Sequence, residues 1–318
     1  MALHQQKLRQ FPQSLPERVI SPQALVMNQN GQRILGYTMP LLTHAEVLLR
    51  YCDLRRRVKD HCRRQVGRPS RKFQQAADTQ AVVDLFLDLH ETVSKLHFAD
   101  VVIGDFNDLN ILVQGTQAFV IDADSFQFGS FPCSVFTARF VDPLLCDPQG
   151  TQPILCRPYC WESDWYAFTV MLMQALLFVN PYGGVYKPSD PAQRLPQAAR
   201  PLHRVTVFHP QVRYPKPALP CDRLPKPLLD HFRQVFEQDW RGVSAIAIGK
   251  FALAHLSVLW GGACSLYLSK LCEIRGNRPT DSARFGSSDN GSANGWSDFG
   301  GDVNGGAATV ADLGGGTV

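Results

Sequence analysis

Four residues with metal- and proton-handling side chains fall within twenty positions of one another. Asp105 and Asn110 stand five apart, with the apolar run "VVI" before them and "ILV" after. Asp122 and Asp124 then close the next apolar run, "AFVID". Phosphoryl transfer requires this kind of set. A carboxylate orients the attacking hydroxyl, and carboxylate or amide oxygens hold Mg²⁺ on the phosphates, because the transition state is stabilised mainly by positioning and charge. The bland alternative for "IGDFNDLN" is a plain Asx-rich turn.

The flanking segments supply elements that could position these groups. Val82, Phe86, Leu89, Val93 and Leu96 recur at spacings of four and three, so residues 78–97 are expected to form an amphipathic helix ahead of Asp105. "VVI", "ILV" and "AFVI" are short strand candidates around the polar clusters. "DWYAFTVMLMQALLFV" is apolar almost all round yet too short to span a bilayer, so 164–179 reads as a buried central helix packed on the first. "PLLDHFRQVFEQ" is a last amphipathic helix, and the Pro-rich stretch 185–227 reads as mostly irregular. Upstream, "HQQKLRQF" reads as the end of a helix followed by a Pro-bearing loop. "ALVM" and "ILGYTM" flank "NQNGQ", whose Asn-Gly pair is a hairpin signal. "LTHAEVLLRY" reads as a further helix, with Thr43 and Glu46 at capping-box spacing.

In this order the motifs resemble the protein-kinase-like superfamily. "LHFADVVIGDFNDLNILV" is similar to the helix end and catalytic loop of protein kinases, with Asp105 at the catalytic Asp and Asn110 at the metal-binding Asn. "FVIDADS" resembles the strand ending in D-F-G, with Asp122 at the metal ligand and Asp124 two residues on. Ile103 and Gly104 replace the usual His and Arg; a Gly there is familiar in atypical bacterial kinases. "FTARFVDPL" resembles the G-T-x-x-Y-x-A-P-E stretch, with Thr137 and Pro143 in register and Leu144 where the Glu should stand. The resemblance implies that Asp164, in "ESDWYAF", anchors the catalytic-loop backbone. It also puts Arg241, in "FEQDWRGV", at the Arg that ordinarily pairs with the missing Glu. "YTMP" resembles the hinge, which makes Tyr37 and Met39 candidate nucleotide-binding residues. Bacterial kinase-like proteins with "GDxNxxNxLV" and "IDxDSFQ" share this pattern over roughly residues 3–243.

The resemblance implies an α+β, kinase-like fold, chiefly the helical large lobe (43–243) with a remnant of the small-lobe sheet and hinge (1–42). It also implies ATP and Mg²⁺ as cofactors and a Ser/Thr hydroxyl as acceptor. The family pattern places a Gly-rich loop, a strand Lys and a helix Glu ahead of the hinge, and this chain begins after them. ATP-dependent turnover by the chain alone is therefore expected near background. Two other readings stay open: a non-catalytic pseudokinase or interaction module, and a small-molecule phosphotransferase. The Thr137–Pro143 segment and the "SDWYAF" helix favour protein-kinase architecture over the latter.

Composition narrows the remaining classes. A formal net charge of +4 over 318 residues gives no general case for nucleic-acid binding. The ten Lys or Arg in 50–73 read as a solvated face or as a docking surface for an acidic partner protein, and they lack interleaved aromatic stacking platforms. Nine Cys without regular spacing do not form a disulfide framework, and Cys156 and Cys160 read as thiols rather than zinc ligands, as do Cys264 and Cys272. The polar N-terminus is unlike a signal peptide, so a reducing cytoplasm is expected. Within the apolar segment 244–275, the stretch between Lys250 and Lys270 approaches the length of a membrane span, but Gly261, Gly262 and His255 weaken it as one. Residues 276–318, rich in Gly, Ser, Asn and Asp, are expected to be disordered and dispensable.

Overall fold

The computed structural model describes residues 2–53 and 79–241. Most of the basic run (54–73), the apolar segment 244–275 and the tail 276–318 lie outside the described residues. Among the described residues the fold is α+β: four α-helices and small, separate antiparallel sheets.

Helix α1 (Ala2–Arg9) and the hairpin of β1 (Ala24–Met27) and β2 (Ile34–Thr38) form the N-terminal part. The hairpin turn is built by Asn28, whose side-chain oxygen accepts from the amides of Gln32 and Arg33, while Gly31 takes a φ of 68°. Gln5 docks α1 on this hairpin through two bonds to Ile34: its Nε2 donates to the carbonyl (2.9 Å) and its Oε1 accepts from the amide (2.7 Å).

The segment after the hairpin departs from expectation. "LTHAEVLLRY" does not form a capped α-helix. Glu46–Val47 is a short strand, β3, paired with Val113 and Leu112, and Leu48–Cys52 is a single 3-10 turn. His44 precedes it at a φ of 60°, outside the helical region. Glu46 does not cap Thr43; its carboxylate bonds Arg50 at 2.7 Å. Pairing with a strand more than sixty residues away, together with burial of Leu48 and Tyr51, wins over local helical spacing.

Helix α2 (Thr79–Phe98) turns its Val82, Phe86, Leu89, Val93 and Leu96 stripe fully inward. It meets α3 (Trp161–Leu177) through edge-on Phe86–Phe168 and through His90 against Trp165, with ring centroids 5.3 and 4.7 Å apart. Every α3 residue from Ser163 to Leu177 is buried, as its all-round apolar sequence requires. Its start is closed by Ser163, whose Oγ takes the Cys160 amide, and Glu162 and Asp164 lie in the first turn, where the helix dipole favours negative charge. Helix α4 (Lys226–Glu237) buries Leu228, His231, Phe232, Val235 and Phe236, a one-sided stripe.

Between α2 and α3 runs the site-bearing stretch. Strand β4 (Val101–Val102) pairs with β7 (Gln127–Phe128), and β5 (Ile111–Gln114) pairs with β6 (Gln117–Val120), with β3 on the other side of β5. The N-terminal loop joins this unit where Ile20 donates to the Val120 carbonyl at 2.8 Å, one strand end away from Asp122. In the Pro-rich stretch, β8 (Val185–Tyr186) and β9 (Val212–Arg213) form one further pair. The main apolar core runs from Phe11 and Val19 through α2 and α3 to Phe236, and a smaller cluster gathers Cys133, Val141, Leu145, Cys146, Tyr159 and Leu202. No helix among the described residues is long and apolar enough to cross a membrane.

Candidate functional site

The loop 103–110 is held from below by one carboxylate. Asp164, fully buried on α3, accepts the Ile103 amide on Oδ2 (2.8 Å) and the Gly104 amide on Oδ1 (2.9 Å), with His97 Nε2 2.9 Å from Oδ2. Bonds to a buried carboxylate are the strong class of hydrogen bond, so two of them fix the loop entry to the central helix and the His97 contact ties the end of α2 to the same group. Gly104 has a φ of +79°, and a Cβ there would sit 2.7 Å from Cys133 Cβ and 2.8 Å from its Sγ. Backbone conformation and close packing both exclude a side chain, which is the physical reason that this loop carries Gly before Asp105.

Asp105 follows, half-buried. Its carbonyl accepts from Asn110 Nδ2 (3.1 Å) and from Asn107 Nδ2 (3.0 Å). Asn107, buried, also reaches Thr137 Oγ1 at 3.2 Å, and its own oxygen accepts the amides of Leu109 and Asn110. It ties Asp105, Asn110 and the Thr137 segment together, a role that motif spacing did not reveal. An Asn two residues after the loop Asp, where a turn must close, is the signal that was there to find.

The Asp122 turn is joined to this loop through the backbone, since the Ile121 amide donates to the Asn110 carbonyl at 3.0 Å. Asp122 adopts the left-handed conformation (φ 62°, ψ 34°), a region that few non-Gly residues occupy. Its carbonyl takes both the amide (3.0 Å) and the hydroxyl (2.8 Å) of Ser125. Burial pushes the Asp122 carboxyl up from the usual carboxylate range. The like charges of Asp124 and Asp105 add to that, and Lys7 opposes it. Asp105, Asp122 and Asp124 thus form one acidic patch, with Asn110 bonded to the Asp105 carbonyl beside it. Tyr37 reaches it as well: its hydroxyl donates to Asp124 Oδ1 at 2.7 Å, and burial and that bond raise its pKa. Met39 is not part of the patch contacts; its side chain is 50% exposed beyond the end of β2.

Arg241 lies farther off. Its partner is not at position 144 but at Asp142, through Nε–Oδ2 (2.7 Å) and Nη2–Oδ1 (2.8 Å). The guanidinium lies over the Tyr166 ring, 4.5 Å from its centroid, and also donates to the Val235 and Trp240 carbonyls. An Asp two positions ahead of Leu144 therefore supplies the counter-charge that the motif match lacked. Asp108 is a second residue missed in the sequence. It is fully buried, with Arg139 Nη2 3.6 Å from its carboxylate and the Gln174 side chain beside it. Burial pushes its carboxyl upward, against the pull of Arg139.

Among the described residues, no three His, Cys, Asp or Glu side chains converge as a metal cage. Cys156 and Cys160 are free thiols. The oxygen donors of Asn110 and Asp122 suit a hard cation that brings most of its own shell as water and phosphate. No protein-family model matches the chain, and no curated protein matches it.

Proposed function

We propose that this chain is a protein-kinase-like phosphotransferase module whose site handles Mg²⁺–nucleoside triphosphate and a hydroxyl acceptor. In this reading Asp105 accepts the proton of the attacking hydroxyl and orients it. Asn110 and Asp122 hold Mg²⁺, which would neutralise charge on the phosphates. Asp164 acts on the reaction only through the loop it anchors. Thr137, tethered by Asn107, places the following segment beside Asp105, where a peptide acceptor would lie.

One observation carries the proposal. The loop bearing Asp105 and Asn110 and the turn bearing Asp122 are stitched into one unit by the Asn110–Asp105 and Ile121–Asn110 hydrogen bonds, on a loop entry held by Asp164. A plain Asx turn requires no such buried anchor 61 residues away.

Thermal unfolding with and without ligand tests this reading. Mg²⁺–ATP at a hundred times its dissociation constant stabilises a protein by about 2.7 kcal/mol. For a domain of this size that is a rise in midpoint of roughly 5–10 °C. The rise is expected in the wild-type chain, absent with ATP and EDTA, and lost in Asp122→Ala. No Mg²⁺-dependent shift at millimolar nucleotide would refute the proposal.

A further inference from the structure

Lys7 has no part in the reading above, yet it lies against the same patch. It sits in the last turn of α1, beside Leu8 and four residues before Phe11, both buried. The residue is only 6% exposed. Among the described residues its ammonium makes no hydrogen bond and no ion pair, and it stands over the Phe128 ring, 5.8 Å from Nζ to centroid. Burial lowers its pKa, against the pull of Cys133, Asp124 and Asp122, which lie beyond ion-pair distance. Helix α1 cannot easily turn Lys7 elsewhere. Gln5 pins it to β2 through both bonds to Ile34, and Phe11 packs edge-on against Phe128 at 5.4 Å.

A buried Lys without a partner is rare and costly. The chemistry around it limits what could satisfy it. A bare divalent cation on the acidic patch would be repelled by the ammonium. A bare anion would be repelled by Asp105, Asp122 and Asp124. A polyphosphate with a metal ion bound to it meets both signs: the metal faces the carboxylates and a phosphate oxygen faces the amine.

We propose that Lys7 is a phosphate-contacting residue, whose ammonium takes an oxygen of the triphosphate while the metal ion on that triphosphate rests on Asn110 and Asp122. This rests on the phosphotransferase reading and assigns the phosphate-side cation of that site to α1. It places the charge on a helix rather than on a strand or a glycine-rich loop.

Calorimetric titration of the full chain with Mg²⁺–ATP, together with titration by Mn²⁺ alone followed by electron paramagnetic resonance, tests it. Lys7→Met is expected to weaken Mg²⁺–ATP binding about tenfold or more, the usual range for losing a charged hydrogen bond. The same variant leaves Mn²⁺ binding unchanged or tightens it, because a repelling charge is gone. Lys7→Arg keeps most of the nucleotide affinity, and Asp122→Asn weakens both ligands. The ligand-free Lys7→Met protein melts at or above the wild-type temperature, since an unpaired buried charge has been removed; Lys7→Gln serves if the Met variant misfolds. Unchanged Mg²⁺–ATP affinity in Lys7→Met, with Asp122→Asn still impaired, overturns the role of Lys7 and leaves the phosphotransferase reading standing. Equal losses for Mn²⁺ and Mg²⁺–ATP in Lys7→Met also overturn it, because the amine would then only arrange the carboxylates. A wild-type chain that binds neither ligand overturns both.

Discussion

Replacing Asp142 by Asn keeps the shape of the side chain and the oxygen that caps the Leu144 amide, but removes the charge facing Arg241. The pair is bidentate and nearly dry: Asp142 is 3% exposed, and Arg241 is covered by Tyr166. Two unit charges about 4 Å apart attract by about 4 kcal/mol at an effective dielectric of about 20. Breaking a buried pair from one side typically costs about 3–5 kcal/mol, because the remaining charge stays buried. Arg241 would retain the Val235 and Trp240 carbonyls, which places the expected loss near the lower end, about 3 kcal/mol. The molecule contains its own control. Arg204 and Asp239 form an equally short bidentate pair, 2.7 and 2.9 Å, but with side chains 21% and 38% exposed. There Asp239→Asn should cost no more than about 1 kcal/mol. Urea unfolding of both variants measures the difference, and adding Arg241→Met to Asp142→Asn should recover part of the loss. Equal effects at the two sites, or a loss below about 1 kcal/mol for Asp142→Asn, would refute the claim that burial makes this pair matter.

Three other perturbations have defined outcomes. Gly104→Ala forces a Cβ against Cys133 at a positive φ and should lower stability by about 1–3 kcal/mol in urea unfolding. Adding Cys133→Gly should return the packing part only, and a fully stable single variant would show that the loop can move aside. Burial lowers the pKa of His231 from 6.5 to about 4, so the folded chain keeps it neutral while the unfolded chain takes a proton below about 6.5. Its contribution to stability is therefore full above that pH and declines as pH falls toward 4, by up to about 3 kcal/mol. His231→Gln should flatten the pH dependence between 7 and 4, and an unchanged slope would count against it. For Asp108 the sign reverses. Its folded pKa is raised, so ionisation at neutral pH weakens the fold, and stability is regained as pH falls through the folded value. Asp108→Asn should gain stability at pH 7 and lose that advantage by about pH 4; a variant less stable at every pH would show that Arg139 fully compensates the carboxylate.

How far the sequence could be read depended on how local each signal was. The proximity of Asp105, Asn110 and Asp122 was legible because all three fall within one loop and hairpin. The α2 stripe and the all-apolar α3 were legible because helical periodicity is itself local. The helix read at 43–51 was misread because its alternative, pairing with Val113 and Leu112, depends on residues far along the chain. The Arg241 partner was hidden for the same reason. Position 144 is the motif place and holds Leu, while Asp142, 99 residues from Arg241, carries the charge. Lys7 could not be recognised from its neighbours, since nothing in "HQQKLRQF" tells whether the Lys face meets water or Phe128. Likewise "IGD" does not announce that Cys133 occupies the space beside Gly104; only the packed chain brings them together.

The Asp164 anchor also decides where motion can occur. Its carboxylate lies in the first turn of a helix buried on every side from Ser163 onward, and it holds two amides of the site loop directly. Exchange of those amide hydrogens with solvent requires separating the loop from α3, an event as rare as opening the core itself. Ile103 and Gly104 therefore belong kinetically with the slowest-exchanging amides of the helix, although they sit in a loop. Leu109, exposed at the far end of the same loop, lies outside that grip. The site is thus rigid where Asp105 begins, and any adjustment to a bound molecule must come from the Asp122 side and from the segment around Thr137.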